Sequence, residues 1–411
     1  MKDIGEGTIR RIDWQELTPA VLLLRIFNTA TGIRVLFLSM IGILLTLIVG
    51  YTINSVHNNN NSNNELTFYG NKNFQEPVYI EPFLDLQTQT QKISFWKHPA
   101  EYSWQLVQRS VFVPWDIFSQ AGMQLFRYND HSFFISAGWF LALLFIWSFF
   151  GGMICRTVAL RLTIDQSESG KELWQFIKQR GTGFLSAIMI IVLGMLFCLI
   201  FLKLCGWLFT VPILDYLTAI LFPIVLIVGF VIMALAIALF FGWSLLFAAV
   251  SVDGSDGFDA VSRMFSYLYQ RPFHYFVYWV LSGILGVLGF VFVSFFVDGI
   301  IILISSRFGG FPDQTAIPAF GYLTLPETYK GLSPPENLIL IWCGMVQLIK
   351  PAYTFAWFWA SSVAIYLLLR RSVDATPLNE VYRLAPVKPR TLPELTINQR
   401  NKNTNNTESS R

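Results

Sequence analysis

Charge is what this chain has least of. Asp, Glu, Lys and Arg make up 13% of its 411 residues, where a water-soluble domain carries roughly 25%. A deficit of that size excludes an ordinary soluble globule and points to contact with lipid. Histidine and cysteine are scarce too, with four of each. Cys155, Cys198, Cys205 and Cys343 lie in or beside apolar segments, form no CxxC pair and have no nearby His. They are expected to be small packing residues, and neither a metal nor a cofactor is expected. The chain has no nucleotide-binding glycine loop, no His-rich metal motif and no nucleophile elbow. The net charge is only +3, and the basic residues of the tail are scattered among Pro and Asn. A nucleic-acid partner would call for a basic patch with interleaved aromatics on a soluble surface, so none is expected.

What is there is apolar: 54% of the residues, with mean hydropathy +0.51. A spanning helix needs about 20 predominantly apolar residues. Six segments qualify: Val35 to Asn54, Phe133 to Cys155, Phe184 to Trp207, Pro223 to Val250, Tyr275 to Val297 and Pro351 to Leu369. The stretch from Gly206 to Val250 is too long for one crossing. Pro212, Asp215 and Pro223 break it, so a short turn-and-helix is expected over Ile213 to Phe222. The first run starts too late, and ends in the wrong residues, for a cleaved signal. The fold class is therefore all-α, a polytopic transmembrane bundle of about six spans. Residues 1–371 form one domain with external loops at 56–132 and 306–350, and residues 372–411 form a disordered, Pro- and Asn-rich tail.

Orientation follows from Lys and Arg. They cluster before the first span (Arg10, Arg11, Arg25, Arg34), between the second and third (Arg156, Arg161, Lys171, Lys178, Arg180) and after the sixth (Arg370, Arg371). Both termini are expected in the cytoplasm. An interfacial helix is expected over Ile12 to Thr29, with Val21, Leu24 and Phe27 on its apolar face. The aromatic pieces around Trp104, Trp115 and Phe118 are expected to lie on the outer face of the membrane. A second interfacial helix, beginning at Ser333-Pro334-Pro335, is expected before Pro351. Lys203, Asp215 and Asp298 fall toward the external ends of spans, where Lys203 is expected to pair with one of the two aspartates.

Two connections share one plan. Thr163-Ile164-Asp165-Gln166-Ser167 leads into an amphipathic run ending Gln179-Arg180. Ser251-Val252-Asp253-Gly254-Ser255 leads into another ending Gln270-Arg271-Pro272. Each joins one long apolar span to the next, which predicts surface elbow helices and a parallel internal repeat. Asp and Ser at the start of each run suit a helix cap. Asp253 and Ser255 are expected to cap the second elbow, Gly181 and Pro272 to stop the surface helices, and Arg180 and Arg271 to reach carbonyls or lipid phosphate. Paired carboxylates such as Asp256 and Asp259 also occur in acid–base and metal sites. Followed by Arg263, however, they match a solvated helix face with internal ion pairs. The candidate partner or lipid contacts are Asp253, Ser255, Asp256, Asp259, Arg263, Arg271, Arg156, Arg161 and Arg180; no catalytic residue is expected.

Three segments together carry a resemblance: Trp14-x-Glu16-Leu17-x-Pro19, Phe150-Gly151-Gly152-x-Ile154-Cys155-Arg156-x-x-Ala159-Leu160-Arg161, and Asp253-Gly254-Ser255-Asp256-Gly257-Phe258-Asp259-Ala260-Val261-Ser262-Arg263 with Gln270-Arg271-Pro272. From Trp14 to Leu369 the chain resembles an uncharacterised family of bacterial multi-pass membrane proteins. The resemblance implies residence in the bacterial inner membrane and no particular activity. The expected function is a non-enzymatic membrane scaffold with the bilayer, and a membrane or cytoplasmic protein, as partners. A component of a small-solute or lipid transporter is the alternative, and a lipid-acting enzyme comes third.

Overall fold

The computed structural model describes residues 21–61, 113–126, 133–211, 214–307 and 334–383. Every regular element among them is a helix: α1 (Val21–Ala30), α2 (Ile33–Asn61), α3 (Val113–Phe126), α4 (Phe133–Ile164), α5 (Gly170–Leu208), α6 (Leu214–Ile220), α7 (Phe222–Asp253), α8 (Gly257–Gln270), α9 (Pro272–Arg307), α10 (Pro334–Gln347) and α11 (Ile349–Asp374). Six of them, α2, α4, α5, α7, α9 and α11, are long and apolar enough to cross a membrane, so the chain is an all-α polytopic bundle. Contacts separate Met1–Val381 from Tyr382–Arg411. Of the second unit only Tyr382 and Arg383 are among the described residues; most of the expected tail, residues 62–112 of the expected first external loop, Trp104 among them, and the residues before Val21 lie outside them.

The final span is the centre of the bundle. Within its apolar window 94% of the residues are buried, against α1, α2, α4, α7 and α9. Glycines let the neighbours come that close. A Cβ at Gly151 of α4 would strike the Trp359 ring, and one at Gly286 of α9 would strike Trp357. Trp147 stacks on Phe355 at 4.2 Å, and the Trp357 indole donates to the Ser282 carbonyl at 3.1 Å. Small residues at helix contacts are the usual means of close packing where lipid, not water, surrounds the bundle.

Several expectations need correction. Gly181 does not stop the first elbow helix: α5 runs unbroken from Gly170 to Leu208. A glycine inside a helix costs about 1 kcal/mol, and burial of Leu173, Phe176 and Ile177 on the same helix more than offsets that. In α1 the buried face is Leu22, Leu23, Ile26 and Ala30, while Leu24 is exposed. The helix α3 does not rest on the end of the bundle. Its Trp115 meets Phe240 edge-on at 4.3 Å and its Phe118 meets Trp243 at 4.5 Å. Trp243 stands about 15 Å along its helix from Asp253 at 1.5 Å per residue, so α3 is inserted between the spans. At the end remote from the elbows, Asp298 pairs with Lys350 at the start of α11, a partner that sequence spacing did not suggest. The short α6 occupies the place expected for it.

Candidate functional site

Both elbows turn by the same backbone device. The residue that follows α4, Asp165 (φ 53°), and the one that follows α7, Gly254 (φ 64°), are each in the left-handed region. Gly254 adopts it without strain because it has no Cβ, and its N–H donates to the Val250 carbonyl at 3.0 Å. A capped helix follows in each case, but the caps differ from those expected. In the first elbow Ser169 accepts from the Glu172 N–H, and Glu172 accepts from the Ser169 N–H at 2.8 Å, a reciprocal capping box. The hydrogen bond from the Ser169 N–H lowers the Glu172 pKa below its usual value. In the second, the cap is Asp256, which accepts from the Asp259 N–H at 2.9 Å. Asp253 is still inside α7, and the Ser255 hydroxyl is buried without a partner, so neither caps.

The second elbow helix lies tight against the bundle. Gly257, Ala260, Met264 and Tyr267 form its buried face, and a Cβ at Gly257 would collide with Ser186 of α5. Arg271 ends it, with its N–H donating to the Tyr267 carbonyl at 3.1 Å; its side chain is exposed.

Asp253 is the hub of this end. Its carboxylate accepts from Arg370 and from the Tyr366 hydroxyl, both of α11, and from Arg263 of α8 at 3.0 Å. Arg263 also holds Asp259 at 3.0 Å. Burial opposes the Arg263 charge, but the bond to Asp259 and the nearby Asp253 carboxylate outweigh it and raise its pKa above the ordinary arginine value. Arg370 is itself enclosed, and its other arm donates to the carbonyls of Pro377 at 3.2 Å and Glu380 at 2.6 Å. The residues just beyond α11 are therefore tied back onto the hub. Tyr267 of α8 donates to Asp374 at the end of α11. Burial, then the Asp374 carboxylate, push the Tyr267 pKa up.

A second arginine grips the same turn from the other side. Arg156 of α4 is fully buried. It donates to the Ser251 carbonyl at 3.1 Å, pairs with Glu168 of the first elbow at 2.6 Å, and lies over the Phe176 ring at 4.4 Å. The last turn of α7 is thus clamped between Arg156 and Arg370, cations at the negative end of its helix dipole. Paired, buried charges of this kind fix geometry more than they add net stability.

Of the nine sequence candidates, Asp253, Asp259, Arg263 and Arg156 join this clamp and Asp256 caps the helix that carries two of them. Ser255 is buried beside it. Arg161 and Arg180 are half-buried on α4 and α5, and Arg271 is exposed. Sequence reasoning missed Arg370, Tyr366 and Glu168. Tyr366 and Arg370 stand one turn apart on one face of α11, a spacing that could have suggested a shared partner. Among the described residues no three His, Cys, Asp or Glu side chains gather as a metal site. Comparison with known proteins finds no matching family model, no matching curated protein and no matching solved structure.

Proposed function

We propose that this protein is a non-enzymatic component of a bacterial inner membrane, with its elbows and both termini in the cytoplasm, and that it presents the second elbow helix as a rigid platform for a protein partner. One observation carries the reading: the last turn of α7 is clamped by Arg156 and Arg370, which together tie α4, α5, α7, α8 and α11 into one unit at the elbow end. The outward face of α8 keeps Phe258, Asp259 and Ser262 exposed, and with Arg271 these supply apolar and charged contacts of the kind found at docking surfaces.

The rival reading is a lipid or solute transporter component. A cleft between α7, α9 and α11 favours it. Alternating access requires packed elements to rearrange around a site, so the two readings differ over whether the clamp must open. Tyr267→Cys and Asp374→Cys, in a background without the native cysteines, place two thiols where the side chains now touch. A platform keeps its function in a complementation assay when these are bridged by a short thiol cross-linker. Loss of complementation on cross-linking, with the unbridged double variant active, would favour the transporter.

A further inference from the structure

Away from the elbow clamp, α7, α9 and α11 enclose a cleft of about 340 Å³, within the range of about 300–1,000 Å³ typical of small-molecule sites. Its walls are almost entirely apolar, and Trp115 of the inserted α3 closes one side. Its hydroxyl groups are those of Ser244, Ser282, Ser361, Ser362 and Tyr275. Ser361 and Ser362 donate to the Phe358 carbonyl at 2.9 and 2.8 Å, which leaves their oxygens able to accept. Ser282 is different. It is 3% exposed, lines the cleft, and its hydroxyl finds no partner within the protein. Buried polar groups are almost always hydrogen-bonded, so an unpaired hydroxyl at a cavity wall marks a place for a ligand's polar atom.

The neighbouring residue leaves the space open: a Cβ at Gly283 would meet nothing within 4 Å. The mouth is flanked by Ile284 and Leu288, exposed on the outside of α9, so the cleft opens sideways onto the apolar face of the bundle. Ser244 and Ser362 stand about 12–14 Å along their helices from the Asp253–Arg370 pair at 1.5 Å per residue, a depth within the span. Among the described residues no Asp, Glu, Lys, Arg or His lines the cleft, and the phenol of Tyr275 there donates to the Phe241 carbonyl. A charged head buried there would have nothing to compensate it.

We propose that this cleft binds a neutral amphiphile from the bilayer, a lipid with an uncharged, hydroxyl-bearing head held at Ser282 and Ser362 and a hydrocarbon tail running out past Ile284. The inference is independent of the platform reading, because it uses none of the clamp residues.

The full chain in lipid nanodiscs, labelled with a diacylglycerol bearing a diazirine in its acyl chain, tests it by mass-spectrometric mapping of the adducts. The expected result is an adduct concentrated on the Ser282 to Leu288 segment and competed by unlabelled diacylglycerol. It should fall at least fivefold in Gly283→Phe, which fills the cleft, and severalfold in Ser282→Ala, which keeps the volume and removes the hydroxyl. Phosphatidylglycerol with the same diazirine should give no competed adduct there. Labelling spread over all exposed faces without competition would overturn the site. So would labelling that Ser282→Ala leaves unchanged at wild-type melting temperature. Equal, competed labelling by the phosphatidylglycerol probe would overturn the neutral head.

Discussion

Replacing Asp253 by alanine should damage this protein more than any other single change at the elbows. The Arg370 side chain is 4% exposed and that of Asp253 12%. Removing one partner of a buried pair costs about 3–5 kcal/mol, because the other charge is left uncompensated. Arg370 would keep its bonds to Pro377 and Glu380, which argues for the lower half of that range, while the Tyr366 hydroxyl would lose its acceptor and add to the loss. Asp256→Ala removes a helix cap, worth about 1 kcal/mol. Asp259→Ala breaks a solvated i,i+4 pair in which the carboxylate is 46% exposed, worth about 0.3–0.5 kcal/mol. The order Asp253, Asp256, Asp259 is thus set by burial. Unfolding in mixed micelles by added SDS, followed by tryptophan fluorescence, measures all three. The partner test is Asp253→Leu with Arg370→Met: removing both charges should recover most of the loss, since an apolar pair can replace a buried ion pair at little cost. The reasoning fails if Asp253→Ala costs no more than Asp256→Ala, or if the double variant is as unstable as the two single losses added together.

Ala375 ends α11 in the left-handed region at φ 53°, so Ala375→Gly should stabilise by about 0.5–1 kcal/mol in the same assay. Gly286→Ala should destabilise by about 1–2 kcal/mol, because its methyl would meet the Trp357 ring and overpacking outweighs the gain in helix propensity; a melting temperature at or above wild type would contradict the close contact. The Tyr267 pKa is raised above its ordinary 10.0 in the folded state. The neutral phenol therefore contributes stability that is complete below pH 10, and this is lost as pH rises from there toward the higher folded value. Unfolding measured between pH 9 and 11 should show wild type weakening more than Tyr267→Phe.

The class of the fold and its six spans were legible because both rest on long apolar runs, a property each segment carries by itself. The elbows were legible as elbows for a similar reason, since Asp, Ser and Gly beside an amphipathic run signal a turn wherever it sits. Which aspartate caps was not legible. Asp253 and Asp256 are both good caps by type, and the choice fell to Asp256 because Arg370 and Tyr366 from the far end of the chain engage Asp253. The clamp was half visible: Arg156 and Asp253 stood out, whereas Arg370 looked like one of two interchangeable basic residues ending a span.

The arrangement of the spans shows why the centre of the bundle is hard to read from hydropathy. The final span is the least hydropathic of the six and 94% of its window is buried, while α7 is the most hydropathic and only 6% of its window is buried. In a soluble protein the most apolar helix is the interior one. In a bilayer the sign reverses, because a helix facing lipid must be apolar all round, whereas one enclosed by other helices can carry polar groups that those neighbours satisfy. Tyr353, Trp357, Ser362, Tyr366 and Arg370 lower the apolar score of α11, and each is buried. Four of them are bonded to neighbouring or adjacent backbone and side chains: Trp357 to Ser282, Ser362 to Phe358, and Tyr366 and Arg370 to Asp253. The same logic sets the cleft apart. Ser282 sits on α9, a span whose outer face is built for lipid, yet its hydroxyl is turned inward and left unpaired. Ser282 is not alone in this, since the Tyr353 hydroxyl and the Trp359 indole of α11 also find no partner within the protein, but Ser282 lines the lateral cleft, where a lipid hydroxyl could complete the bond.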